Sequence, residues 1–364
     1  MGALATSVIL ASAISVIIFY LFGTFFALTP KTNLVLFAGV FLLLDFLFRS
    51  IVLSSSKRRG ISVVMLGDSP IIRATADYLK INPQTGYHLL KFETEINDEI
   101  LKEIVALAKT NKIELAVIQP KLATNPETIQ KLYRLLPLGI NLMNFSDFYE
   151  LMFDKVPLEE LEEGWFVEHI SPRKKIYDRV KRLVDILFAT LLGVVLSPII
   201  LLTALGIRST SRGPAIYTQK RIGKNGKVFT IYKFRSMTVH ESGPLWTEKN
   251  DSRITKFGKF LRYTHLDELP QLLNVLRGEI SITGPRPERI ELAEQYAKFP
   301  YYDVRHLVTP GLTGWAQINF KPSASLEEAY EKLKYDIYYI ENRSITLDML
   351  IIVRTLKYFF TNHE

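Results

Sequence analysis

Residues 181–212 read KRLVDILFATLLGVVLSPIILLTALGIRSTSR, and the way this run folds decides the architecture of everything after it. It is apolar from 183 to 207, longer than the roughly 20 residues a helix needs to cross a bilayer. Two features oppose a straight span. Pro198 removes a helix hydrogen bond and crowds the preceding turn, while the Ser197 hydroxyl can bond a carbonyl freed there. Basic residues also flank both ends, Lys181 and Arg182 before and Arg208 and Arg212 after, so both ends read as cytoplasmic. The spacing predicts a re-entrant membrane helix over about 180–207, bent at Ser197 and Pro198. A Pro-kinked spanning helix is the competing reading, and it carries the rest of the chain out of the cell.

The upstream sequence also points to a membrane. The 364 residues are 48% hydrophobic with a mean hydropathy of +0.12, high for a water-soluble chain. Residues 4–28 and 34–53 are two further apolar runs joined by Thr29-Pro30-Lys31-Thr32-Asn33, which predicts a transmembrane helical hairpin over 1–56. A signal peptide fits less well, because no basic leader precedes the first run and a second follows at once. Lys57, Arg58 and Arg59 place the far end of the hairpin in the cytoplasm. Asp45 and Arg49 are expected to pair on one helix face near that boundary. The net charge of +8 suits anionic lipid, nucleic acid or phosphate-rich substrates alike. Because the basic residues flank apolar segments and form no aromatic-interleaved groove, nucleic acid is excluded. With no cysteine, thiolate chemistry and disulfides are excluded, and the six histidines lack metal-ligand spacing.

From 57 to 155 the pattern changes to short β-branched runs, 61–66, 88–92, 114–118 and 140–144, alternating with polar helical stretches. That is a parallel, Rossmann-like α/β domain. Its first strand runs into Leu66-Gly67-Asp68-Ser69-Pro70, where a dinucleotide site needs three spaced glycines. Only Gly67 is present, so no NAD site is expected and a structural or regulatory role is. The acidic, Pro-containing stretch 156–174 reads as a linker.

The catalytic chemistry is expected in residues 175–364, an α+β domain. Two β-rich runs around Gly223-Lys224-Asn225-Gly226 form a hairpin signal, and Lys233 and Arg235 close its second strand, facing either a phosphate or solvent. The segment Arg262-Tyr263-Thr264-His265-Leu266-Asp267-Glu268-Leu269-Pro270-Gln271 sets adjacent carboxylates at the start of an apolar helix, 269–276. Two readings stand together. Thr264 and Asp267 match a capping pattern, and acids in a first turn are stabilised by the helix dipole. The same helix start keeps a carboxylate ionised and attracts phosphate, so one carboxylate can attack phosphorus while its neighbour holds a metal. Residues 344–360 form an apolar helix broken by Arg354 and Lys357, lying at the membrane interface or in the core.

Seven motifs then occur in a fixed order over 174–360: Lys181-Arg182-Leu183-Val184-Asp185, Ser197-Pro198, Gly223-Lys224-Asn225-Gly226-Lys227, Tyr232-Lys233-Phe234-Arg235-Ser236-Met237, Leu266-Asp267-Glu268-Leu269-Pro270-Gln271, Gly284-Pro285-Arg286-Pro287 and Pro310-Gly311-Leu312-Thr313-Gly314-Trp315-Ala316-Gln317. In these the chain resembles the bacterial sugar transferase family, the monotopic phosphoglycosyl transferases. Its N-terminal half is similar to that of long members that begin exopolysaccharide, capsule or O-antigen units, although those usually have more than two spanning helices. The resemblance implies transfer of a sugar 1-phosphate from a UDP-sugar to undecaprenyl phosphate, on the cytoplasmic side of the bacterial inner membrane. It implies Asp267 as nucleophile and Glu268 as ligand of a magnesium ion, Mg2+. Arg262 and Arg286, with Lys233 and Arg235, would lie near the phosphates. Membrane lipid is a further partner, and a homodimer is compatible with it. His265 stands where many members have a small hydroxyl residue, and no role follows for it. Against this stand a scaffold or nucleotide sensor with a degenerate catalytic half, which the intact Asp267, Glu268, Arg262 and Arg286 oppose, and a nucleotide-sugar dehydratase, which the missing glycines oppose.

Overall fold

The computed structural model describes residues 60–110, 113–162, 164–171, 174–210, 212–237, 253–321 and 325–361, with part of 39–48. Most of the predicted transmembrane hairpin, including both members of the Asp45–Arg49 pair, falls outside the described residues. The chain divides into two units, the first comprising residues up to Ile118 with Leu122–Met143, the second Gln119–Lys121 with everything from Asn144.

The first unit is a four-stranded sheet of β1 (Ile61–Leu66), β2 (Tyr87–Glu93), β3 (Leu115–Ile118) and β4 (Asn141–Asn144), in the order β2-β1-β3-β4. β1 pairs in parallel with both β2 and β3. Val63, Val64, Met65 and Leu66 of β1 are all buried, as a central strand covered on both faces requires. Helices α1 (Pro70–Ile81), α2 (Asp98–Lys109) and α3 (Pro126–Tyr133) connect the strands. Each begins where a short polar side chain caps it: Ser69 accepts from Ile72 N, Asn97 from Ile100 N and Asn125 from Glu127 N. The alternation read from the sequence is therefore a parallel α/β fold of Rossmann-like kind.

The second unit starts with α4 (Phe145–Phe153) and α5 (Trp165–His169). The stretch read as a linker is built into its core, since Val156, Leu158, Trp165 and Ile170 are buried beside Leu333, Ile337 and Ile340. Next come α6 (Lys175–Val195) and α7 (Ser197–Thr210), bent by 62° at Leu196. Ser197 Oγ donates to Val194 O at 2.7 Å, supplying a bond to the interrupted ladder as expected. No single helix among the described residues is long and apolar enough to cross a membrane, whereas this bent pair is so when taken together. Leu183, Leu187, Leu191, Val194, Val195, Leu201, Leu202 and Leu205 on it are exposed.

The other face of α6 is pinned by the first of the seven motifs. Lys181 pairs with Asp348 at 2.9 Å and bonds Thr283. Arg182 donates to the carbonyls of Val275 and Leu276 at 2.5 and 2.8 Å, in the C-terminal turn of the helix over Leu272–Arg277. Asp185, buried, accepts from Ser281 Oγ and Ile282 N, both at 3.0 Å. The chain continues through the antiparallel hairpin β5 (Ile216–Ile222) and β6 (Val228–Phe234), whose turn puts Asn225 and Gly226 at positive φ. Helix α8 (Lys256–Tyr263), a 3₁₀ turn over Leu266–Gln271 and α9 (Leu272–Arg277) follow. β7 (Ser281–Thr283) pairs in parallel with β8 (Gly311–Thr313). A Cβ on Gly311 would lie 2.2 Å from Gly284 N, so only glycine lets these two segments meet. Helices α10 (Ile290–Tyr296), α11 (Trp315–Asn319), α12 (Leu326–Asn342) and α13 (Ile345–Thr361) complete the unit. The core reading of 344–360 holds for one side of α13, where Asp348 and Ile351 are buried, while Met349, Leu350, Val353 and Leu356 are exposed.

Asp185→Ala should orphan two buried donors at once. A loss of about 2–4 kcal/mol is expected, measurable as a lower unfolding midpoint of the detergent-solubilised protein. An unchanged midpoint would show that the motif does not anchor the helix.

Candidate active site

β6 carries Lys233, and Asn274 on α9 fixes the strand beside it. The Asn274 side chain accepts from Tyr232 N at 3.1 Å and donates to Thr230 O at 2.7 Å. Neither carboxylate caps a helix. Thr264 ends α8, its hydroxyl donating back to Phe260 O at 2.8 Å. His265 follows at φ 54°, and no side chain caps the 3₁₀ turn it opens. The continuous helix expected over 269–276 is a 3₁₀ turn to Gln271 and then α9, because Pro270 has no N–H to give the α ladder. The capping reading is thereby corrected, and Asp267 and Glu268 project from a tight turn.

Lys233 Nζ and Arg286 Nη2 both reach Glu268 Oε1, at 2.7 and 2.9 Å. Asp267 is buried and makes no ion pair among the described residues. Arg262 sits alongside, its Nε donating to Ser236 Oγ at 2.9 Å. Lys233, Glu268 and Arg286 are thus in contact, with Asp267 and Arg262 adjacent. Arg235 is not part of this cluster: its guanidinium holds the carbonyls of Arg212 and Gly213 at 2.8 and 3.4 Å. Ser197 and Pro198 stand at the helix bend.

Electrostatics separate the two neighbouring acids. Burial raises the Asp267 pKa above the ordinary carboxylate value, and the Glu268 charge raises it further, against the pull of Lys233, Arg262 and His265. Burial works the same way on Glu268, but Arg286 and Lys233 outweigh it and hold that carboxyl far below its usual range. Burial also lowers the Lys233 amine, while Glu268 raises the Arg286 guanidinium. One acid is a fixed anion buffered by two cations; the other is desolvated and more basic.

Arg286 owes its position to groups with no sequence signature. Arg305 donates to Arg286 O and to Asp336 Oδ2, both at 2.9 Å, and Arg221 donates to Pro287 O at 3.0 Å. Glu288 joins Arg305 at 3.5 Å and Lys332 at 3.0 Å. Glu268, Arg286, Glu288, Arg305, Lys332 and Asp336 line one cavity of about 570 Å³ with an otherwise largely apolar wall. No cluster of three or more potential metal ligands occurs among the described residues. Magnesium commonly needs only one or two carboxylates when substrate phosphates complete its shell. The donor set fits that mode, since both cations use Glu268 Oε1 and leave Oε2.

Residues 176–362, just over half the chain, match the bacterial sugar transferase family. The chain belongs to that family. It is 37% identical over 226 residues to the UDP-N-acetylgalactosamine-undecaprenyl-phosphate N-acetylgalactosaminephosphotransferase of Aeromonas hydrophila, covering 61% of this chain and 53% of that protein. With the UDP-glucose:undecaprenyl-phosphate glucose-1-phosphate transferase of Klebsiella pneumoniae it shares 45% identity over 197 residues, 53% of this chain and 42% of the other. The exopolysaccharide production protein PSS of Rhizobium leguminosarum is 42% identical over 186 residues, which are 49% of this chain and 93% of PSS. The chain thus spans about half the length of the first two relatives.

Glu288 gives a pH test of the network behind Arg286. Burial would raise its pKa, but Lys332 and Arg305 outweigh that and bring it from 4.5 down to about 2. A depressed folded value means that its stabilisation is complete above 4.5 and is lost as the pH falls towards about 2. Glu288→Gln should therefore melt below wild type at pH 7, with the gap closing as thermal scans approach pH 2. A constant gap would remove Glu288 from the account.

Proposed function

We propose that the chain transfers a sugar 1-phosphate from a UDP-sugar to undecaprenyl phosphate, giving polyprenyl-diphosphate sugar and UMP through a covalent aspartyl phosphosugar. The observation that carries this reading is the asymmetry of the acids: Asp267 is buried without an ion pair among the described residues, while Glu268 has gathered Lys233 and Arg286. An unpaired, desolvated carboxylate is the better nucleophile, and a paired one is the better ligand. The ordered motifs and the relatives named for UDP-sugars and undecaprenyl phosphate support it.

In the first half-reaction an Asp267 oxygen bonds to the sugar-bearing phosphorus as the bond from that phosphorus to the oxygen of UMP breaks. The electron pair leaves with UMP. Lys233, Arg262 and Arg286 hold the phosphate oxygens and screen their repulsion of the incoming carboxylate. In the second, a phosphate oxygen of undecaprenyl phosphate bonds to the same phosphorus, and the Asp267 carboxylate is released. Magnesium, held by Glu268 when bound, would add screening of the diphosphate charge.

One substrate is dissolved in cytosol and the other in lipid, so the site belongs at the cytoplasmic face of the inner membrane. The bent pair suits this. If each leg takes half of the 62° bend, it inclines by about 31° to the membrane plane. A 14-residue leg such as α7, rising about 1.5 Å per residue, then sinks only about 10 Å, less than half of a bilayer core of about 30 Å. Both ends return to one face.

Asp267→Asn should fold normally and lower UMP release by roughly a thousandfold or more. Intact-protein mass spectrometry with donor alone should show one phosphosugar on wild type and none on the variant. An adduct on Asp267→Asn would exclude Asp267 as nucleophile. Because the active carboxylate is charged, the acid limb of kcat/KM should lie above 3.8, the ordinary value of an aspartate. Lys233→Met, which removes a cation that lowers the Asp267 pKa, should move that limb to higher pH. Movement to lower pH would contradict the assignment.

A further inference from the structure

The wall of the cavity beside Glu268 is not uniform. Glu268 bonds Arg286, Arg305 holds the Arg286 carbonyl, and Arg305 and Lys332 meet on Glu288, so charge gathers behind Arg286. A second stretch of wall begins at Leu269, next to Glu268 in sequence, and is aliphatic. Leu192 of α6, Leu272 of α9 and Leu312 of β8 complete it.

This stretch is continuous with the bent helix pair. Leu192 stands about one turn before the bend at Leu196, and it packs on Ala189, Leu272 and Ile282 together with Leu312 and with Ile352 of α13. Leu269 packs instead with Ile200 and Ala204 of α7. Both legs of the pair therefore reach the cavity wall from inside, while their outward residues, Leu187, Leu191, Leu201 and Leu205, are exposed. The polar groups at this end bond to one another: the Thr313 and Thr355 hydroxyls share a hydrogen bond of 2.8 Å, and Gln317 Nε2 donates to Leu312 O at 3.2 Å. A uracil or a hexose placed here would leave its own donors and acceptors unpaired, which is costly. A hydrocarbon gains from the same wall.

We propose that Leu192, Leu269, Leu272 and Leu312 form the slot for the first isoprene units of the polyprenyl phosphate, the tail running past Leu192 towards the bend and the phosphate meeting Arg286 and Asp267. The slot rests on the transferase reading and refines it, giving the carrier one end of the cavity and leaving the charged end to the donor. In the re-entrant seating Leu192 lies near the deepest point of the pair, where a tail must go if its phosphate stays at the surface.

The full-length protein in detergent is photolysed with farnesyl phosphate bearing a diazirine on the isoprene unit next to the phosphate, and the label is mapped to residues by mass spectrometry. It should fall on Leu192 or within Leu269–Leu272, and undecaprenyl phosphate should compete it away. Label only on outward residues such as Leu187 and Leu201, or none that undecaprenyl phosphate displaces, overturns the slot. Leu192→Trp narrows the slot from a half-buried position. It should raise the KM for undecaprenyl phosphate roughly tenfold more than the KM for the UDP-sugar, the worth of about two buried methylene groups. An equal rise in both, or a rise for the donor alone, overturns the assignment. The Asp267 adduct formed from donor alone tests the transferase reading separately: its absence from wild type would sink that reading, whereas displaceable label at Leu192 would still seat a prenyl phosphate in the slot.

Discussion

A single buried carboxylate, Asp348, gathers donors from three other elements of the second unit. Tyr177 and Lys181 of α6 reach its Oδ2 at 2.8 and 2.9 Å, and Thr283 of β7 and Tyr339 of α12 reach its Oδ1 at 2.7 and 2.8 Å. Such a group costs much to bury alone and is acceptable only when every lone pair is used. Its position determines much else. Thr283 leads directly into Gly284-Pro285-Arg286-Pro287, so Arg286 is covalently joined to a strand locked against the apolar helix pair. The seating of the helix pair and the geometry of the site are set by the same bonds.

The site itself rests on unequal treatment of two adjacent acids. Lys233 and Arg286 converge on one oxygen of Glu268, leaving Asp267 to burial and to its neighbour's charge. Placing the cations between the acids would instead have stabilised both charges and made Asp267 less basic. The asymmetry relies on backbone control: Asn274 fixes β6 beside Lys233, and Arg305 grips the main chain at Arg286. Neither of these residues needs to touch a substrate to matter.

What could be read from the sequence was local. The β5–β6 turn announced itself in Gly223 to Gly226, the strands of the first unit in their β-branched runs, and the bend in Ser197-Pro198. The ordered motifs picked out Lys233, Glu268 and Arg286, which the fold brings together. The rest was illegible because it depends on distance along the chain. Lys181 meets Asp348 across 167 positions and Asp185 meets Ile282 across 97, so nothing nearby marks them as partners. Arg235 shares the alternation of Lys233 but ends beyond the strand, where two open carbonyls capture it. Thr264 matched a helix start yet ends a helix, since a hydroxyl bonds a preceding carbonyl as readily as a following amide. Residues 156–174 look like a linker because their apolar side chains, Trp165 and Ile170 among them, are too few to show a period.

The bend at Leu196 also bears on where such a protein can reside. A straight spanning helix must match its apolar length to the bilayer, and each ångström of mismatch costs a fraction of a kcal/mol. A helix pair that enters and leaves through one face meets only one interface, so its fit depends on one leaflet's headgroups and not on the separation of the two. In the proposed re-entrant seating, changes in acyl-chain length with growth temperature would therefore leave the pair's fit, and the height of Asp267 above the lipid, nearly unchanged.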